Sequence, residues 1–331
     1  MLGRMCRALR LSRFFLCVVL GLTAAAAETT APARTPRFDL TDLTGAYIAF
    51  FDRTRSLATD ARVAAFKADV GARLPGFYDA ARLPDTTSPQ YDMTIARSFA
   101  DFPQQREAFV RTATSFQSML RPAVRSFVAT FTDFHSLGHI ALLHSLGEMD
   151  GGTRALRGET YLVFGADVMA RTIAPGRERP FFHHELFHVY NSQFFAECEP
   201  LWCALWMEGL AVYVSEQLNP GATDADLLLT TPRPIRAEVD ANLTRAICAV
   251  RARLDSTTQR DYASFFFGNA RFEDLPPRAG YYIGYLALKQ LGKTRSPRDL
   301  AHLSQQEARP ALASALAGLA ECPAVLPSRG R

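Results

Sequence analysis

In the segment PFFHHELFHVYN, Pro180 to Asn191, three histidines and one glutamate stand among apolar and aromatic residues. His184 and His188 are four apart, so on a helix their imidazoles lie one turn apart on one face and can meet a single cation. Glu185 falls about 100° further round the helix, beside such a cation, where a carboxylate can take the proton of a bound water. His183 points away from that face and is expected to be exposed or to stand behind the ligands. The pattern H-E-x-x-H arises by chance in roughly one chain in a hundred of this length, so it needs support from elsewhere. A catalytic zinc takes three protein ligands and keeps one position open. Glu208, in the helical stretch WCALWMEGLAVYVSEQL, is the expected third ligand. Glu197, Glu199 and Glu216 rank below it, the first two because they lie in or beside a Cys198–Cys203 loop and the last because it is two turns further on.

With Glu208 in place, His184-Glu185-x-x-His188 followed by Glu208-Gly209-x-Ala211-x-Tyr213 resembles the gluzincin metallopeptidases, the thermolysin-like and M1-aminopeptidase-like groups. The resemblance is close over Tyr161 to Tyr213 and looser beyond. It implies a zincin-like domain with a Zn²⁺ cofactor held by His184, His188 and Glu208, and with Glu185 as general base. RAGYYIGYLALKQLG is similar to the Y-x-x-G segment that gives M1-like enzymes an oxyanion donor. That makes Tyr281 the candidate and Tyr282 its substitute; the competing expectation is that both are core aromatics on an apolar helix. By the same analogy a substrate peptide pairs along the strand Tyr161–Gly165. Two departures stand out. No G-x-M-x-N element precedes the motif, which argues against recognition of a free amino terminus, and position 212 is Val212 where thermolysin-like enzymes carry an aspartate. The imidazoles must then be oriented by something else, with Asn191 or a backbone carbonyl as candidates.

Other constellations are weaker. His135, His139 and His144 form a second cluster, but the strand-like HIALLH sets the first two more than about 10 Å apart. Asp167 has no motif to recommend it. Nucleophile elbows and phosphate loops are missing, since neither G-x-S-x-G nor G-x-x-x-x-G-K occurs.

The elements that must position these residues form an α+β, mostly helical fold. Residues 38–121 repeat apolar side chains at three- and four-residue intervals and read as an N-terminal helical region, interrupted at Pro103. RSFVATFTDF, HIALLHSL and GETYLVFGADV are rich in β-branched and aromatic residues and read as about three strands, with Asp150-Gly151-Gly152 as a turn. They precede the H-E-x-x-H helix in a catalytic core at 122–218. Helices follow at Leu201–Leu218, Ile235–Leu254, Tyr281–Leu291 and Glu307–Leu319, the last three in a C-terminal region at 219–325. The N-terminal helices either gate the cleft or cover it.

Residues 1–27 read as a secretory signal peptide: four arginines, an apolar run Phe14–Leu22, then small residues with cleavage near Ala27. An uncleaved anchor is the alternative, although the run is shorter than the ~20 residues of a spanning helix. Residues 28–37 are a Pro/Thr-rich linker and 326–331 a tail. Removing the signal takes away four arginines and no acid, bringing the net charge of +4 to zero. No basic surface for nucleic acid is therefore expected. Cys198, Cys203, Cys248 and Cys322 remain, an even number in an exported chain. Cys198 and Cys203 are the local pair, which leaves Cys248 for Cys322; reduced core thiols are the alternative.

The expectation is a periplasmic or secreted zinc metallopeptidase acting on a peptide or protein substrate, with no stable membrane span after signal cleavage. Its rival is a zinc-stabilised binding or scaffold protein that cleaves nothing. The presence of Glu185, which zinc binding does not require, favours the enzyme.

Overall fold

A computed structural model of the protein describes residues 38–83 and 86–323. The segments expected to be a signal peptide, a linker and a tail lie outside the described residues. The described residues open with strand β1 (Phe38–Asp42), and Asp42 accepts from the Thr44 amide at 2.9 Å at the start of helix α1 (Thr44–Arg53). Helix α2 (Thr59–Asp69) follows, then α3 (Ser88–Thr130), 43 residues long. Strands β2 (Gly138–Leu143), β3 (Gly151–Leu156) and β4 (Glu159–Gly165) come next, followed by helices α4 (Ala166–Thr172), α5 (Arg179–Asn191) and α6 (Leu201–Leu218). The remainder is helical: α7 (Ile235–Asp240), α8 (Leu243–Arg251), α9 (Gln259–Phe266), α10 (Ala279–Leu291), α11 (Pro297–Ala301) and α12 (Gln305–Leu319). The fold is α+β and mostly helical, and the described residues cluster as one unit.

Four local expectations change. Residues 38–42 are a strand, not a helix, paired in parallel with β2. RSFVATFTDF is not a strand, for most of it is the last part of α3. Leu120, Val124, Phe127, Val128 and Phe131 are buried at helical spacing, and that period prevails over their β-branched and aromatic composition. Pro103 does not interrupt α3. Its ring stands on the exposed side, and the missing hydrogen bond is offset by buried Phe102 and Phe109 on either side. Further on, Ile235–Leu254 is two helices, α7 and α8, parted at Ala241–Asn242.

The sheet has the order β1-β2-β4-β3, with β1, β2 and β4 parallel and β3 antiparallel to β4. β4 is thus an interior strand and β3 an edge. Helix α5 runs through the core: Phe182 packs edge-on against Phe116 of α3 and Phe164 of β4, with ring centroids 5.1 and 5.4 Å away. Its C-terminal end is fixed by Tyr190, whose hydroxyl donates to Asp133 at 3.0 Å and lies 2.8 Å from His302 Nε2. Helix α6 is apolar almost all round and is buried from Leu201 to Ser215 apart from Met207 and Glu208, as suits a helix enclosed by others. Disulfides join Cys198 to Cys203 and Cys248 to Cys322, with Cα atoms 6.0 and 5.5 Å apart. Among the described residues no helix is long and apolar enough to cross a membrane.

Candidate metal centre

His184 and His188 project from one face of α5 and meet Glu208 from α6. The two Nε2 atoms are 3.0 Å apart, and each lies 3.3 Å from Glu208 Oε2. A tetrahedral zinc with bonds of ~2.0–2.1 Å spaces its ligand atoms about 3.3 Å apart, so the triangle fits such an ion with little adjustment. Among the described residues this is the one group of His, Cys, Asp or Glu whose donor atoms converge in this way. Glu185 lies beside it, 6% exposed, and its Oε2 is buried without a hydrogen-bond partner among the described residues. A buried carboxylate oxygen without a partner next to three convergent donor atoms calls for an explanation, and a polar group bound in the cleft beside it would supply one.

The electrostatics agree with a cation site. Burial would raise the Glu208 pKa, but His188 and His184 together hold it well below the usual carboxylate range. Burial pushes His188 down, yet the charge and hydrogen bond of Glu208 outweigh it and hold the ring up at about 9. His184 is lowered by burial, against the Glu208 hydrogen bond. Burial drives Glu185 up to about 8.

The triangle sits in the wall of a cleft of about 860 Å³. Its borders include Asp150–Arg154 of β3 and the turn before it, α5, α6, and the tyrosines Tyr262 and Tyr281. Tyr281 faces this cleft, its ring stacked 6.4 Å from His184. Burial, reinforced by Glu208, raises its phenol well above the ordinary value and keeps it a proton donor. Tyr282 is no substitute, because it is buried and donates to Asp240 at 2.9 Å.

Two glycines explain how α6 and α10 bring their residues together. A Cβ on Gly209 would stand 2.6 Å from Gly284 Cα and 2.7 Å from the Tyr285 amide nitrogen. The helices therefore touch backbone to backbone at Gly209 and Gly284. The contact lies one residue after Glu208 on α6 and three after Tyr281 on α10. The spacings E-G and Y-x-x-G are thus two sides of one helix crossing. A second close approach puts β3 on α5: a Cβ on Gly151 would lie 2.6 Å from Phe181 Cζ and 3.0 Å from Glu185 Cδ.

Several expectations are corrected here. The strand Tyr161–Gly165 cannot pair with a peptide, because β2 and β3 already occupy both its edges. The sheet edge beside the cleft is β3, which pairs only with β4 among the described residues, and its residues Gly151–Arg154 line the cleft. Asp150-Gly151-Gly152 accordingly leads into a strand and does not simply turn. His183 is not exposed. It is fully buried, with Nε2 2.9 Å from Ser126 Oγ and 3.2 Å from the Ala123 carbonyl, while Nδ1 accepts from the Asn219 amide at 2.8 Å. It ties α5 to α3 and to the end of α6, and burial lowers it to about 4. Asn191 does not orient the imidazoles; its amide donates to the Ala301 carbonyl at 3.4 Å.

The rival residues have other roles. Glu216 accepts from the Tyr285 hydroxyl at 2.7 Å. Glu197 and Glu199 are exposed at the rim. Asp167 is buried and takes hydrogen bonds from the Ser145 and Gly147 amides at 2.6 and 2.8 Å, fixing the turn after β2. His139 stacks on Tyr161 in the sheet while His144 stacks on Tyr47 in the core, so they make no second centre.

Sequence reasoning missed the β3 edge, Tyr262 and Arg278. Arg278 stands one turn before Tyr281, and that spacing was the available signal. Comparison with protein-family models, with curated proteins and with solved structures finds no match to this chain.

Proposed function

We propose that the protein is a zinc-dependent metallopeptidase. The observation that carries this reading is the convergence of His184, His188 and Glu208 with the unpartnered carboxylate of Glu185 beside them. The two disulfides and the signal-like leader support an extracytoplasmic setting, periplasmic or secreted. His184, His188 and Glu208 would hold the ion. Zinc in such a site acts as a Lewis acid, bringing the pKa of a water toward neutrality and polarising a carbonyl.

Glu185 then takes the proton of the attacking water as its oxygen bonds to the peptide carbonyl carbon. When the C–N bond breaks, Glu185 gives that proton to the leaving amine. Tyr281 donates its hydroxyl hydrogen to the oxygen on which negative charge develops, a role that needs a protonated phenol. The free edge of β3 offers backbone amides and carbonyls to an extended peptide, which fixes its direction across the cleft. Gly151 keeps that edge close to Glu185.

Zinc content of the purified chain, together with Glu185→Gln tested on a quenched peptide library, decides between this reading and a metal-holding scaffold. One zinc per chain, with cleavage by wild type and none by the variant, is the expected result. Zinc with no cleavage by either protein would leave the scaffold, and absence of zinc would overturn both.

A further inference from the structure

The cleft holds two arginines that differ in what they already bind. Arg154, on β3, is paired with Glu148 at 3.5 Å and donates to its own strand at the Thr153 carbonyl, 2.8 Å away. Arg278 makes no ion pair with a carboxylate among the described residues. Its Nη1 donates to the carbonyls of Thr231 at 3.1 Å and Leu228 at 3.4 Å. Its Nε and Nη2 have no protein acceptor among the described residues, so three of the five guanidinium hydrogens are unclaimed. The group is nonetheless held in place, with its central carbon 4.6 Å over the ring of Tyr281. The backbone helps to fix it: Arg278 adopts φ 62°, a left-handed conformation that a side chain of this size rarely takes.

The position matters because Tyr281 is itself stacked 6.4 Å from His184. The guanidinium is therefore one aromatic ring removed from a ligand histidine. At about 3.4 Å per residue, an extended peptide spans that interval in roughly three residues or fewer. A planar fork with its outer hydrogens free and its charge uncompensated suits a carboxylate, which it can hold in two parallel hydrogen bonds.

We infer that Arg278 is a specificity residue that anchors a carboxylate of the substrate peptide close to the scissile bond. This rests on the peptidase reading of the same site and adds the substrate class: peptides that end in a free carboxylate there or carry an acidic side chain at that position. The missing G-x-M-x-N element fits the same picture, since the chain offers a cation for a carboxylate and no such element for an amine.

The test uses three probes: acetyl-trialanine acid, acetyl-trialanine amide, and acetyl-dialanyl-aspartate amide. Binding is measured by calorimetry to the zinc-loaded Glu185→Gln chain and to the zinc-free chain, each with and without Arg278→Gln or Arg278→Lys. The expected result is a preference for a carboxylate probe over the trialanine amide of roughly tenfold or more, abolished by Gln and weakened by Lys. It should persist without zinc, which separates the arginine from direct ligation of the metal. Preference for the acid marks a terminal carboxylate, and preference for the aspartate amide a side chain. Equal binding of all three probes to the parent chain overturns the inference, as does a preference that survives Arg278→Gln in a variant that unfolds like its parent. Cleavage of the same probes by the wild type is read separately. Cleavage without carboxylate preference keeps the peptidase and removes the anchor, whereas preference without cleavage does the reverse.

Discussion

Replacing Gly209 by alanine tests whether the contact between α6 and α10 sets the site. In an open helix this change should stabilise, because alanine is better than glycine in a helix interior by about 0.8–1.0 kcal/mol. Here the new Cβ would lie 2.6 Å from Gly284 Cα and 2.7 Å from the Tyr285 nitrogen. Carbon atoms in contact settle at about 3.5–4.0 Å, so the helices must separate by roughly 1 Å. Both neighbours are backbone atoms, and no rotamer change relieves them. Overpacking of this kind costs about 1–3 kcal/mol, which exceeds and reverses the propensity gain.

The same displacement acts on Glu208, the neighbouring residue, whose oxygen lies 3.3 Å from each histidine nitrogen. A shift near 1 Å spoils that triangle, and changes to the groups that support a metal site lower affinity by roughly 10–100-fold. The measurements are denaturant unfolding and zinc titration against a competing chelator, with Gly45→Ala as control because no heavy atom would lie within 4 Å of its Cβ. The expected pattern is loss of both stability and zinc affinity for Gly209→Ala and neither for the control. A Gly209→Ala chain that is more stable than wild type and binds zinc equally well would refute the reasoning.

Other substitutions separate catalysis from packing. Tyr281→Phe should lower kcat by roughly 10²–10³-fold with zinc content unchanged, whereas Tyr282→Phe should lower stability by about 1 kcal/mol through the lost Asp240 bond and leave the rate intact; parallel kinetics and unfolding check both. Cys322→Ser opens a cross-link spanning 74 residues, and unfolding in denaturant should show a loss of about 4 kcal/mol. His144 is buried against Tyr47, beside Asp167 and with Arg171 and Asp101 nearby; burial lowers its pKa below 6.5 despite Asp167. The unfolded chain then binds the proton first, so its contribution to stability is complete above about pH 6.5 and declines as pH falls toward the folded pKa. Unfolding of wild type and His144→Asn between about pH 5 and 7.5 should show that slope in the former and a shallower one in the latter.

The legible parts of the sequence were those in which local spacing is itself the cause. His184, Glu185 and His188 lie within a single turn of α5, so the helical period alone set their directions. Helix α6 was readable from end to end because an apolar segment with a proline before it and Asn219-Pro220-Gly221 after it has little choice. The strand RSFVATFTDF failed for the converse reason. Its residues have β-forming side chains, yet they continue the buried stripe of a 43-residue helix, which is visible only when the preceding turns are taken with it. His183 was misjudged because helix geometry showed which way it points but not that Ser126, Ala123 and Asn219 would meet it there.

The edge proposed to pair with a peptide shows why sheet order is the harder quantity. β3 and β4 both precede the H-E-x-x-H helix, and the analogy with gluzincins pointed to β4, the strand placed just before the motif and the more apolar of the two. Apolarity, however, marks a strand buried on both sides, and a strand hydrogen-bonded on both sides has nothing to offer a peptide. The strand that can pair is the less apolar one, GGTRAL, and its glycine at 151 fits a place where the edge must approach Phe181 and Glu185 closely. Gly151, Gly209 and Gly284 belong to one class: each removes a side chain so that a candidate site residue and a neighbouring element can come near. A glycine in a motif is therefore read best by asking which backbone it admits, and here the answers are β3 over Glu185 and α10 against Glu208.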